Sequence, residues 1–154
     1  MSSPSRPASQ ALMTSATSSR PSWRVTTDIC FFERPSRPNA RVSYVSIDNV
    51  GAARMAVEHL IGRGRRRIGT ITGALDNVDG QDRLTGYRQA LDAAGMSIDS
   101  ALVAQGWFTR ESGYIGARSL IAAKVDAIFA ANDVTALGAL DALKDFGVRV
   151  PDDV

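Results

Sequence analysis

Apolar residues along this chain come in short blocks, and the spacing within each block switches back and forth between the period of a strand and the period of a helix. ICFF, Ile29 to Phe32, is a short run of buried-strand type that ends at Glu33-Arg34 and gives way to the proline-containing loop PSRPNA. VSYVSI predicts a second extended run. Between Val50 and Arg63 the residues Val50, Ala53, Val57, Leu60 and Ile61 share one helical face, with Asn49 as the predicted N-cap and Gly62 and Gly64 as terminators. RIGTITG is the next strand. The loop ALDNVDGQ then leads into a helix carrying Leu84, Tyr87, Leu91 and Ala94, stopped by Gly95. ALVAQGWF predicts a strand, and Thr109 caps a helix that carries Tyr114, Ala117, Leu120 and Ile121. DAIFAA predicts the last strand, after which Asp133 is expected to cap a helix from Val134 to Phe146 that ends at Gly147.

Strands that alternate with helices of this length imply an α/β fold, with a parallel sheet covered on both faces in a three-layer sandwich. Ligands of such sheets sit beyond the carboxyl ends of the strands, where the order of the chain reverses. That rule selects Glu33, Asp48, Asn49, the stretch from Gly73 to Arg83, Trp107, Phe108, Asn132 and Asp133 as the positions where chemistry is to be sought.

Composition narrows the class. With 154 residues, 44% of them hydrophobic and 22% charged, the chain has the make-up and length of one ordinary folded domain. Residues 1–27 differ from the rest: they are rich in Ser, Pro, Thr and Arg, contain no acidic residue and follow neither period, so they are expected to form a disordered tail ahead of a domain at 28–154. Cys30 is the only cysteine, which excludes an intrachain disulfide and fits a reducing, cytoplasmic setting. No apolar stretch approaches the ~20 residues that cross a bilayer. A net charge of +2 is too small to argue for nucleic-acid binding by field alone.

Among the strand-end positions, Arg83 offers a planar fork suited to a carboxylate or a pair of hydroxyls, although residue type alone favours a surface arginine paired with Asp79 or Asp82. Asn132 presents both a donor and an acceptor, which fits a hydroxyl ligand. Trp107 and Phe108 are neighbours on a predicted strand, so one ring should enter the core and the other face the cleft. The arginines of GRGRRRIG read as a solvated turn, since no aromatic residues interleave them. His59, the sole histidine, reads as a half-buried structural residue on its helix. One His and one Cys cannot assemble a His/Cys metal cluster or a serine triad, and GALDNVDG has neither the order of a dinucleotide-binding loop nor the lysine of a P-loop. No catalytic constellation and no cofactor are expected.

Three stretches in order, VSIDNVGAARMAVEHLIGRGRRRIGTITG, DRLTGYRQALDAAG and DAIFAANDVTALGALDALKDFGVRVPDDV, resemble the effector-sensing domain of the lactose-repressor/galactose-repressor (LacI/GalR) family of transcription regulators, from about Ile29 to Val154. The resemblance implies a fold like that of periplasmic sugar-binding proteins, with two α/β subdomains around a ligand cleft. It places the cleft arginine on Arg83, three residues before Gly86, the cleft asparagine of the A-N-D element on Asn132, the stacking aromatic on Phe108, and an acidic cleft residue on Glu33. The implied partner is a small effector, a sugar or related metabolite. The alternative is a solute-binding protein of a sugar transport system, which would be exported.

That family begins with a helix-turn-helix headpiece, which enters the DNA major groove. The low-complexity tail stands in its place here, so the resemblance implies DNA contact only through a headpiece this chain lacks, and a homodimer in the intact protein. The match falls mainly on the C-terminal subdomain, with ICFFER as a strand from the other half and the next strand of the family's sheet expected after PDDV. A sheet short of that strand exposes unpaired backbone along its edge. The chain is therefore expected to self-associate, which sedimentation would show as a concentration-dependent rise in mass. A clean monomer at every concentration would contradict it.

Overall fold

The computed structural model describes residues 30–32 and 43–154; the readings made above for residues 1–27 and for Glu33 lie outside them. In chain order the elements are β1 (Cys30–Phe32), β2 (Ser43–Val45), α1 (Asn49–Gly62), β3 (Ile68–Ile71), α2 (Val78–Ala93), a 3-10 turn (Ser100–Leu102), β4 (Val103–Ala104), α3 (Arg110–Ala122), β5 (Ala127–Ala130) and α4 (Asp133–Asp145). β1 and β2 pair with each other, parallel, with Cys30 opposite Ser43. The other three strands form a second parallel sheet in the order β4-β3-β5. Helices cover it on both faces, as the alternating pattern predicted.

β3 is buried at all four positions because it lies between two strands and two layers of helix. Its alternation divides the core in two. Ile68 joins Val57 of α1 and Leu84, Tyr87 and Leu91 of α2, whereas Ile71 joins Ala117 and Leu120 of α3 and Ala142 of α4. Each large side chain buried in this way contributes roughly 1.5–3 kcal/mol. Tyr87, fully buried, satisfies its hydroxyl by donating to the Ile68 carbonyl oxygen at 2.8 Å. Burial pushes its phenol up to about 12, so it stays a donor at any ordinary pH.

Several local expectations are corrected. α1 is capped by Asp48, whose carboxylate accepts from the Gly51 N–H at 2.9 Å, while Asn49 lies inside the helix and is buried. α4 is capped by Asn132, whose side-chain oxygen accepts from the Thr135 N–H at 2.9 Å, and Asp133 is its first helical residue. Thr109 caps α3 as expected, in a reciprocal box with Ser112. α2 begins at Val78, earlier than Leu84 suggested, and Ala94 is an exposed C-cap rather than part of the buried stripe. His59 is exposed, not half-buried.

The predicted strand ALVAQGWF shrinks to Val103–Ala104. Asp99 caps a 3-10 turn ahead of it by accepting from the Ala101 N–H, and the Ser112 hydroxyl draws the Trp107 N–H away from the sheet behind it at 3.0 Å. The arginine turn is exposed but tied rather than merely solvated. Asp126, just before β5, accepts from the backbone N–H groups of Arg66 and Arg67 at 2.7 and 2.9 Å and so joins the entries of β3 and β5. The Arg67 side chain donates in addition to the Ala123 carbonyl at 2.8 Å.

α3 and α4 cross so closely that backbone faces backbone. A Cβ on Gly113 would stand 2.1 Å from the Thr135 carbonyl oxygen, and one on Gly138 would stand 1.9 Å from that of Arg110. Gly138→Ala is therefore expected to destabilise the fold by about 1–3 kcal/mol. Gly62→Ala, with open space around it at the end of α1, should be neutral or stabilising by up to about 1 kcal/mol. Urea midpoints of the two variants check both signs; equal effects would show that α3 and α4 do not meet this closely.

Candidate functional site

The carboxyl ends of β3 and β5 and the N-terminal turns of α1, α2 and α4 converge at one end of the sheet. Arg83 lies one turn into α2 and reaches across that end. Its Nε–H donates to the Asn49 side-chain oxygen at 2.8 Å, and its Nη1 donates to the Ala131 carbonyl at 2.5 Å. Asn49 in turn donates its Nδ2 to Asp79 Oδ1 at 3.0 Å. Arg83 is thus no surface arginine in direct contact with Asp79: an asparagine amide stands between the two charges.

Phe108 meets the same guanidinium from the other side, with the Arg83 Cζ 5.7 Å from its ring centroid, within cation–π range. Two features set that ring. Phe108 has φ +61, a left-handed conformation that costs a non-glycine residue roughly 1–2 kcal/mol. The ring also lies directly on the backbone of Gly73, where a Cβ would fall 2.0 Å from its Cζ. The segment leading to it is fixed by hydrogen bonds to Thr72, whose N–H donates to the Ala104 carbonyl at 2.9 Å and whose hydroxyl accepts from the Gly106 N–H at 3.2 Å. Because Trp107 and Phe108 lie beyond the strand, their side chains do not alternate across it. Trp107 is 57% exposed, Phe108 is half-buried at the site, and neither enters the core.

Asn132 follows directly on Ala131, the residue whose carbonyl receives Arg83. Its Oδ1 is held by the Thr135 N–H, so the amide has a fixed orientation and its Nδ2 is the end left for a ligand. Arg83 thus meets Phe108 and the residue before Asn132 at the same end of the sheet, whereas Glu33 lies outside the described residues. Sequence reasoning placed Asn49 and Asp79 among the strand-end positions but gave the first to a helix cap and offered the second as a direct ion-pair partner of Arg83. What it missed is Asn49 of α1 entering between Asp79 and Arg83, which lie four residues apart on one face of α2.

Chemically, this wall is rich in donors. Of the five N–H donors of a guanidinium, two point inward, and the Nη2 end forms no hydrogen bond among the described residues. A concavity of about 150 Å³, lined by Ile47, Asn49, Arg83, Phe129 and Ala131, opens beside it. Pockets that enclose small molecules run from roughly 300 to 1,000 Å³, so this concavity is too small to surround one. A larger concavity of about 680 Å³ lies elsewhere, along β5 between α1 and α4, and no predicted site residue lines it. No group of three or more His, Cys, Asp or Glu side chains placed to hold a metal ion occurs among the described residues, and no helix there is long and apolar enough to cross a membrane.

Known proteins share this fold. The family described as a periplasmic binding protein-like domain matches residues 57–154. The regulator CelR of Thermobifida fusca, an HTH-type transcriptional regulator, is 52% identical over 119 residues, which is 76% of this chain and 35% of CelR. The HTH-type transcriptional repressor PurR of Haemophilus influenzae is 34% identical over the same shares. Among solved structures, a CelR–cellobiose complex superposes with a TM-score of 0.74 at 50% identity, over 81% of this chain and 39% of that one. A sugar-binding LacI-family regulator of Escherichia coli, complexed with phosphate, gives 0.71 at 36% identity, over 80% and 45%. These relatives are transcriptional regulators rather than enzymes, and the chain spans about a third of the length of the curated relatives it matches. A parallel sheet with its polar residues gathered at the strand ends, matched over residues 57–154 by the family model, settles the family: the chain belongs to the periplasmic binding protein-like domains, and it is similar to regulators of the LacI family.

Proposed function

We propose that this chain is the effector-sensing part of a LacI-type transcriptional regulator and that its ligand is a sugar. The observation that carries the reading is the convergence of Arg83, Phe108 and Asn132 at the end of the sheet, with an aromatic face and outward donors side by side. A sugar ring offers an apolar face for Phe108 and hydroxyl oxygens for Arg83 Nη2 and Asn132 Nδ2. The cellobiose held by CelR, a relative at about half identity, supports a saccharide over other metabolites. That the relatives regulate transcription favours this reading over a solute-binding protein of a transport system. In the whole regulator, ligand binding between two subdomains would favour their closed arrangement and thereby change the geometry of a homodimer and the spacing of its DNA-binding headpieces. Operator contact belongs to the headpiece and not to the residues described here.

One wall of a cleft binds weakly, so titration of the isotopically labelled chain with cellobiose should give millimolar affinity, equivalent to about 4 kcal/mol. Shifts are expected at the backbone amides of Gly73, Phe108 and Asn132, and Arg83→Ala should abolish them. Saturating shifts elsewhere, or none, would overturn the sugar reading.

Asn132 carries two roles that substitution separates. Asn132→Ala removes both, costing about 1 kcal/mol of stability through the lost cap. Asn132→Asp keeps the cap and replaces the outward donor with an acceptor, so stability should hold while cellobiose affinity falls. Equal affinity in Asn132→Asp and the parent would remove Asn132 from the site.

A further inference from the structure

We propose that Asn49 and Asp79 are positioning residues for Arg83, forming a relay that holds the guanidinium so that its Nη2 edge faces the ligand. The inference deepens the sugar-site reading and rests on it only for the identity of the ligand.

Three facts carry it. Asp79 is 2% exposed, and its Oδ1 accepts from Asn49 Nδ2 at 3.0 Å. Asn49 is 4% exposed, and its own Oδ1 accepts from Arg83 Nε at 2.8 Å. Asn49 comes from α1, whereas Asp79 and Arg83 lie one turn apart on α2, so the relay spans two helices. The amide can adopt only one orientation here, because a carboxylate must accept and a guanidinium must donate. Asparagine is the residue that fits: aspartate would set two carboxylates against each other, and leucine would leave Asp79 and the Arg83 Nε both without partners.

Asp79 is buried where a carboxylate is tolerated. It sits in the first turn of α2, at the positive end of the helix, and its N–H is held by the Asn77 cap at 2.8 Å. Its second oxygen, Oδ2, is buried without a hydrogen-bond partner among the described residues, so it brings Asp79 no compensating bond. A buried polar group that recovers only part of its desolvation is weak as a stabilising device, and its placement behind the ligand-facing arginine gives it a function. With Nε fixed by Asn49 and Nη1 by Ala131, the plane of the guanidinium is held at two points, and the Phe108 ring lies against it. A pre-oriented fork does not lose side-chain freedom when ligand arrives.

The test reads the arginine itself. In the full chain labelled with 15N-arginine, the Nε–H signal lost in Arg83→Lys identifies Arg83. Its exchange with water should be about tenfold or more slower than that of the exposed Arg88. Comparable rates would overturn the relay, and this measurement needs no core variant to fold. In Asn49→Leu the signal should broaden into exchange while backbone amides of β3 and α3 stay in place. Asp79→Leu should do the same, because Asn49 loses its anchor, whereas Asp79→Asn, which retains an acceptor at Oδ1, should restore the signal. A sharp Arg83 Nε–H in a folded Asn49→Leu chain would also overturn the proposal. Cellobiose affinity in Asn49→Leu should fall about tenfold. If the exchange results hold and cellobiose shifts nothing even in the parent chain, it is the sugar reading that fails, and the relay stands.

Discussion

The placement of everything polar depends on β3 being closed on all sides, with β4 and β5 along its edges and a pair of helices on each face. Its four residues are fully buried, and the side chains that point each way belong to two separate cores. A strand so enclosed can bring the chain to water only at its ends. At the amino end the structure spends its polar groups on fastening strands together, through the Asp126 carboxylate and the backbone of Arg66 and Arg67. At the carboxyl end Thr72 and Gly73 turn the chain out under Phe108, and the residues able to meet a ligand gather there.

The two ends differ in kind. The Asp126 junction satisfies its oxygens with backbone N–H groups, which lie at fixed distances set by the sheet. The Arg83 end instead holds a long side chain between the Asn49 side-chain oxygen and the Ala131 carbonyl, 34 and 48 residues away in sequence. Long-range fastening of a single guanidinium is a poor way to stabilise a fold, because side-chain order and desolvation offset most of the gain. It is an effective way to aim a donor.

The strand and helix order was legible because each element carries its own period, and the period survives in any context. The resemblance of three stretches then pointed to Arg83, Phe108 and Asn132, of which the structure sets Arg83 against Phe108 and against the carbonyl of Ala131, the residue before Asn132. Caps were misread by one residue at both Asp48-Asn49 and Asn132-Asp133, for a common reason. Two adjacent Asx residues are equally able to cap, and which one does is decided by what the other is needed for. Asn49 is drawn inward by Asp79 and Arg83, so Asp48 takes the cap. Asn132 has extended backbone at φ −156, leaving its side chain over the helix end, and Asp133 enters the helix exposed. The strand through Trp107 and Phe108 was over-read because an apolar run records burial or β-propensity and not pairing. A hydroxyl of α3 and a left-handed Phe108 end that pairing, and no local pattern announces either.

The misread cap at Asn132 also changes what the site can recognise. As a free side chain, an asparagine offers a ligand a donor or an acceptor by turning its amide. As a cap it cannot turn: its oxygen is committed to the Thr135 N–H, and only the donor remains. The same loss of choice applies to Arg83, which has donors alone, and to Asn49, whose acceptor is taken by Arg83. Asp48 and Asp79, carboxylates near this end, each commit one oxygen, to the Gly51 N–H and to Asn49, and the second oxygen of Asp79 is buried. The groups that Arg83 and Asn132 leave without a partner are therefore N–H donors, which suit oxygens with lone pairs to give. Hydroxyls satisfy that requirement, but each also carries a hydrogen that needs an acceptor, and the acceptors must face the ligand from another direction. A wall of donors of this kind meets only half of a hydroxyl's hydrogen-bonding needs, because a hydroxyl both donates and accepts.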